Sequence, residues 1–129
     1  MESVHRNSVS VEHLPGRDIQ RVVGKGATLE SGKMTVGIAH YSASTGPMEP
    51  HNHAEETIFV VDAENSWISY GPSPDDLPNR IDLEPGLTLH IPELEWHVFR
   101  WDGKGFADCL VIYGQVDNIR PEDIAAEQS

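Results

Sequence analysis

Short runs of apolar, β-branched and aromatic residues, separated by glycine and proline, dominate the chain from residue 16 onward. Runs of about four to eight such residues between turn signals are typical of β-strands. No helical pattern lies between these runs, so the sequence predicts a single all-β domain, a sandwich or barrel. The predicted strands are Ile19–Val23, Lys33–Ser42, Glu56–Val61, Trp67–Tyr70, Arg80–Leu83, Leu87–Ile91, Trp96–Trp101 and Phe106–Gln115.

The two ends of the chain differ from this pattern. Residues 1–15 are polar and lack periodicity, so we expect a flexible N-terminal arm. Pro121 at a first helical position, followed by the polar and small residues 122–127, predicts a short C-terminal helix. The expected organisation is therefore an arm at 1–15, one β-barrel at 16–118 and a tail at 119–129. Closing the sheet would leave it without exposed edges.

The charge of the chain narrows the choice of partners. Among 129 residues there are 21 acidic and 9 basic ones, which gives a net charge of −12. The basic residues are scattered singly, which argues against binding to nucleic acid or to an anionic membrane. No apolar run is long enough to span a bilayer and no leader pattern opens the chain, so we expect a cytoplasmic protein. The lone cysteine, Cys109, lies in an apolar stretch and is expected to be a buried, reduced thiol.

A pair of histidines precedes the predicted strand at residue 56. In an extended chain, side chains two residues apart point to the same side, so His51 and His53 can reach a common point. Two imidazoles with a nearby carboxylate suit zinc, iron, manganese or nickel. Glu55 has the same parity as the histidines, whereas Glu56 needs a bend of the chain to point the same way.

A third histidine, His97, opens a later predicted strand. If its ring points inward, Phe99 and Trp101 share its face and form the apolar wall of a pocket. Met48, close in sequence to the histidine pair, is a further candidate for the pocket lining.

The first group of residues, Gly46, His51, His53 and Glu56, resembles the first motif of the cupin superfamily, whose members are small β-barrels with a metal in the barrel mouth. Only four residues separate Gly46 from His51 and only two separate His53 from Glu56, and both gaps are shorter than in the family pattern. Ala63 stands where the family motif closes with a glycine.

The second group, Gly86, Pro92 and His97, resembles the second cupin motif. Leu94 stands in place of an inner glycine of that motif, and Trp101 in place of an asparagine. The order and spacing of the two motifs are fairly specific for the fold and for a metal, and they are unspecific for the reaction.

Over residues 33–115, the resemblance implies a jelly-roll-like double-stranded β-helix that binds one divalent transition-metal ion (Fe, Mn, Zn or Ni). The ligands that it implies are His51, His53, Glu56 and His97. If Glu56 does not reach the metal, three histidines and water remain, a set that also occurs in the superfamily. Cupin barrels commonly pair, so the resemblance also implies a homodimer.

An open metal site can polarise a bound substrate or acidify a bound water. The leading hypothesis is therefore a metal-dependent enzyme that acts on a small oxygenated molecule by dioxygenase, isomerase or lyase chemistry. One alternative is a non-catalytic module that binds a small ligand or a metal. Another is a structural barrel with a vestigial site, which the departures from the family motifs would favour.

Overall fold

The computed structural model describes residues 1–120, which form eight β-strands and two short 3-10 helices, at Arg6–Ser8 and Ala43–Thr45. The strands are β1 (Val11–Leu14), β2 (Arg17–Gly24), β3 (Leu29–Glu30), β4 (Thr35–Ser42), β5 (Glu56–Gly71), β6 (Asn79–Asp82), β7 (Thr88–Ile91) and β8 (Trp96–Tyr113). The all-β prediction is thus confirmed. The predicted C-terminal helix lies outside the described residues.

The strands hydrogen-bond in the order β1-β2-β4-β8-β5-β6, with β3 added to β2 and β7 added to β5. All pairs are antiparallel except the short pairing of β2 with β3. This path is not closed by hydrogen bonds, which corrects the expectation of a fully closed sheet. The sheet instead folds over on itself as a jelly-roll-like sandwich or open barrel.

Two long strands replace four of the predicted ones. β5 has 16 residues and β8 has 18, and the two pair with each other along most of their length. The turn predicted at Asp102-Gly103 is wrong, because the chain passes through it as an irregular part of β8. A Cβ at Gly105 would collide with the carbonyl oxygen of Asn65 on β5, so only glycine permits this close approach of the two strands.

Alternate residues of the central strands point into one apolar core. On β5, Ile58 and Val60 are fully buried, whereas Phe59 and Val61 are exposed. On β8 the buried side chains include Val98 and Cys109, and Cys109 is a free thiol as expected. Burial raises the pKa of Cys109 to about 12, so the thiol is protonated and unreactive at neutral pH.

The N-terminal segment is not the loose arm that its polar sequence predicts. β1 pairs with β2, and the side chain of Gln20 donates to the carbonyl oxygens of Arg6 and Val9 at 2.6 and 3.0 Å. Arg6 makes a bidentate ion pair with Asp108 on β8, in which its two terminal guanidinium nitrogens donate to the two carboxylate oxygens at 2.7 and 3.0 Å. Hydrogen bonds to another strand hold this segment, and such long-range contacts leave no local pattern in a sequence.

Among residues 1–120, no helix is long and apolar enough to cross a membrane.

Candidate metal centre

Backbone pairing brings the two histidine-bearing segments together. The amide of His51 donates to the carbonyl of His97 at 3.0 Å, and the amide of His97 donates back at 2.9 Å. Three residues before His97, the amide of Leu94 donates to the carbonyl of His53 at 2.9 Å. Because directly paired residues of antiparallel chains project to the same side, the rings of His51 and His97 meet with their centroids 4.5 Å apart.

Each of the three rings turns its Nδ1 atom toward a backbone carbonyl. Nδ1 of His51 lies 3.1 Å from the carbonyl oxygen of Glu49, and Nδ1 of His97 lies 2.8 Å from that of Glu95. Nδ1 of His53 is similarly placed, 2.8 Å from the carbonyl of Ala54. A carbonyl oxygen can only accept, so each Nδ1 carries the proton and each Nε2 keeps its lone pair. Such backbone contacts are the usual means of orienting a metal-binding imidazole.

The arrangement of lone pairs fits a cation. One potential ligand atom from each of His51, His53 and His97 falls in a group whose members all lie within 4.8 Å of one another. The Nε2 atoms of His53 and His97 are only 3.1 Å apart, and with protons on Nδ1 neither can donate to the other. A metal ion between them would turn this unfavourable contact into coordination. The donor set therefore fits a divalent transition metal.

Burial favours the uncharged form of two of these imidazoles, those of His97 and His53. Desolvation, with the neighbouring rings of His51 and His53, lowers the pKa of His97 to about 3. Desolvation also lowers the pKa of His53. Metal ligands must be deprotonated, so the ring of His97 is in the form that coordinates a metal well below neutral pH, and the shift at His53 is in the same direction.

Glu56 points into the same region although its parity is opposite to that of the histidines. A bend at Ala54 re-aims the chain, and Glu56 then begins β5 with its side chain buried. One carboxylate oxygen lies 3.5 Å from Nε2 of His53, but Glu56 is not a member of the three-histidine group. Burial raises the pKa of Glu56 to about 7, although a hydrogen bond from Tyr113 opposes the shift. Its role as a fourth ligand stays a prediction.

The histidines line a cavity of about 410 Å³, which we call the metal-site cavity. Two predicted pocket residues, Met48 and Phe99, line it, and both are buried. Trp101 does not, and instead faces a neighbouring hollow that it shares with Ala43 and Gly46. Trp101 lies about 7 Å further along β8 than Phe99, which places its ring beyond the cavity despite the shared face.

The cavity residues that were not identified from the sequence as site residues include Tyr41, Tyr113 and Arg17. The ring of Tyr41 stacks on Phe99, with centroids 4.1 Å apart. Strand alternation places Tyr113 on the inner face with the other buried residues of β8, and this signal could have found it. Arg17 belongs to the β1–β2 hairpin, and nothing in its local sequence points to the histidines.

The chain matches no protein-family model and no curated protein sequence. Solved structures do match it in shape. The polyketide cyclase RemF from Streptomyces resistomycificus has a TM-score of 0.69 at 21% identity, with 87% of this chain and 78% of RemF covered. A protein from Planctomyces limnophilus has a TM-score of 0.69 at 17% identity, over 95% and 94% of the two chains.

A third match is Fe(II)-HppE with an alternative substrate, with a TM-score of 0.65 at 14% identity. The match covers 88% of this chain but only 60% of HppE. These are cupin-fold proteins, and identities at this level establish the fold alone. The protein therefore has the cupin fold, with three histidines placed to bind a metal at the position that the two sequence motifs indicate.

Proposed function

We propose that the protein is a metal-dependent enzyme that acts on a small oxygenated molecule bound in the metal-site cavity. The convergence of one ring nitrogen from each of His51, His53 and His97 on one wall of that cavity carries this proposal. A structural barrel would have no need to bury the imidazoles of His53 and His97 with their Nε2 acceptor atoms 3.1 Å apart, since such a contact destabilises a fold.

Iron(II) is the first metal to test. The fold neighbour HppE is described in its Fe(II) form, and three imidazoles also suit zinc, manganese or nickel. When bound, the ion would supply a Lewis acid for an oxygen atom of the substrate. The walls formed by Tyr41, Met48 and Phe99 would exclude water and hold the carbon skeleton of the substrate.

Glu56 and Tyr113 are the groups that would handle protons. The carboxyl of Glu56 has a pKa of about 7, so it can hold or accept a proton at working pH. Tyr113 donates a hydrogen bond to it and has its own pKa raised by burial, so the phenol stays protonated. We propose that Glu56 either completes the metal coordination or exchanges a proton with the substrate beside it.

The residues of the site do not distinguish between the three reaction classes that the sequence suggested. The fold neighbours include a polyketide cyclase, an epoxidase and a DMSP lyase, which shows that one scaffold hosts different chemistries. We therefore propose dioxygenase, isomerase or lyase chemistry, to be separated by assay.

We also propose a cytoplasmic homodimer that binds neither nucleic acid nor membrane. Phe59, Val61 and Ile112 are exposed on the outer face of β5 and β8, and a second copy of the chain could cover them. Light scattering on the purified protein tests this assembly, and a monomer at all concentrations would contradict it.

The decisive test of the site is the metal content of protein purified without chelator. We expect one ion per chain in the wild type and little or none in His51→Ala and His97→Ala, because loss of one ligand of three lowers affinity by about a hundredfold or more. His90→Ala is the control, since His90 is exposed and pairs with Glu55 outside the cavity. Unchanged metal content in both ligand variants would refute the site.

Turnover separates the enzyme from the binding module. The metal-loaded protein is assayed against keto acids, hydroxy acids, diketones and sugar derivatives with iron(II), manganese and nickel. Turnover that is lost in His97→Ala supports the enzyme. Thermal stabilisation by metal without any turnover would instead favour a non-catalytic metal-binding module.

A further inference from the structure

A second cavity of about 260 Å³ adjoins the metal-site cavity. The two share part of their walls, including Leu14, Arg17 and Tyr113. We call it the β2 cavity because residues of β2 and the loop after it form much of its wall. Its aliphatic lining includes Ile19 and Val23 on β2 and Val111 on β8. A ligand that enters the metal-site cavity therefore has a second, largely apolar compartment beside it.

The charged side chains around the β2 cavity are all basic. Arg17, Arg21, Lys25 and Arg120 contribute to its wall, and none of the aspartates or glutamates within residues 1–120 does so. The whole chain contains 9 basic and 21 acidic residues, so a random wall would be mostly acidic. The charge on the cavity wall is thus opposite in sign to the net charge of the protein, and it provides a local positive potential for an anion.

Arg17 is the basic residue best placed to meet a ligand. Arg21 pairs with Glu12 at 3.0 Å, and Lys25 pairs with Asp117 at 2.9 Å, both at exposed positions. Arg17 donates to the carbonyl oxygen of Pro15 at 3.2 Å, and no carboxylate of residues 1–120 lies within ion-pair distance of it. Arg17 also lines both cavities, so the residue lies where the two adjoin.

The effect of Arg17 on the pKa values of neighbouring groups is consistent with this position. Its positive charge lowers the pKa of Glu56 and opposes protonation of His53, both of which line the metal-site cavity. Arg17 therefore acts across the junction toward the histidines. An arginine that pairs with no carboxylate of the described part of the chain and borders two cavities is suited to bind an oxyanion of a ligand through paired hydrogen bonds.

We infer that the β2 cavity is an anion subsite in which Arg17 binds the carboxylate or phosphoryl group of the substrate, while the apolar body of that substrate reaches toward the histidines. This inference deepens the proposed function and rests on it for the identification of the ligand as a substrate. The substrate class then narrows from small oxygenated molecules in general to those that carry an oxyanion on an apolar skeleton.

The test is calorimetric binding of benzoate and phenylphosphonate, with benzamide as a neutral analogue of benzoate. We expect both anions to bind the wild type and Arg17→Gln to weaken the binding by about tenfold or more. Arg17→Lys should retain part of the affinity. Arg80→Gln is the matched control, since Arg80 is an exposed arginine that pairs with Asp82 away from both cavities.

The anion subsite and the metal site can fail separately. Each titration is repeated after chelation and on His97→Ala, where anion binding that persists supports the subsite even without metal. Equal binding of benzamide and benzoate, or unchanged binding by Arg17→Gln, would overturn the inference whatever the metal content. The stronger of the two anions indicates whether the natural group is a carboxylate or a phosphoryl group.

Discussion

The first five residues of β5 bury two different kinds of side chain. Where β5 begins, the buried groups are polar: Glu56, with His53 and His97 beside it. Two and four residues further on, Ile58 and Val60 are fully buried in an apolar core. The core gains free energy from each apolar group it buries, whereas the polar cluster costs free energy until a ligand pairs its lone pairs. The comparison indicates that the core stabilises a site that is unfavourable by itself.

The largest effect is expected in the core. Ile58→Ala should lower the free energy of unfolding by about 4 kcal/mol, because it leaves a cavity at a fully buried position. Val61→Ala, at an exposed position of the same strand, should change it by less than about 0.5 kcal/mol. Denaturant unfolding measures both. If the two substitutions lower the free energy of unfolding equally, the core does not provide the stability that the site requires.

The next effect concerns the polar cluster and its pH dependence. The folded pKa of Glu56, about 7, lies above its ordinary value of 4.5, so its protonated form favours the folded state. That contribution is fully present below pH 4.5 and is lost as the pH rises through 7, at a cost of up to about 3 kcal/mol. Metal-free Glu56→Gln should therefore lose less stability than the wild type between pH 5 and 8.

The control for this titration is Glu55→Gln. Glu55 is exposed and pairs with His90, so its substitution should leave the pH profile of unfolding unchanged. The measurement is the melting temperature of metal-free protein at each pH. A Glu56→Gln profile that parallels the wild type would show that the buried carboxyl does not set this pH dependence.

The smallest effect is expected at the turn that leads into His97. Leu94 has a φ of 65°, in the left-handed region that favours glycine, and it occupies the place of a glycine in the cupin motif. Leu94→Gly should raise the free energy of unfolding by about 1 kcal/mol because it removes this strain. Leu94→Ala keeps the strain and should bring no gain. A Leu94→Gly variant that is not stabilised, by denaturant unfolding, would contradict this account.

Much of the metal centre could be predicted from local sequence. The parity of His51 and His53 and the placement of His97 at a strand start correctly indicated three converging rings. The bend required to bring Glu56 inward is present at Ala54. These features depend on the period of an extended chain and on turns, which act over a few residues.

Other parts of the site could not be predicted in this way. Arg17 and Tyr113 reach the cavity from strands that are remote from the histidine motifs. Trp101 shares a face with Phe99 but lies beyond the cavity. The alternation of side chains along a strand is enough to assign a residue to the inner or outer face of the sheet. The position along the strand at which a cavity ends depends on how the whole sheet folds over.

By itself, the sequence determined the all-β architecture, the inward histidines and the buried thiol, because alternation and turn chemistry are local properties of the chain. Only the tertiary structure decided that β5 and β8 run on as two long strands and that residues 1–15 dock on the sheet through Arg6 and Asp108. It also decided that a basic cavity adjoins the histidines. The physical reason is that these features arise from pairing between residues far apart in sequence, and pairing partners are selected by the whole fold.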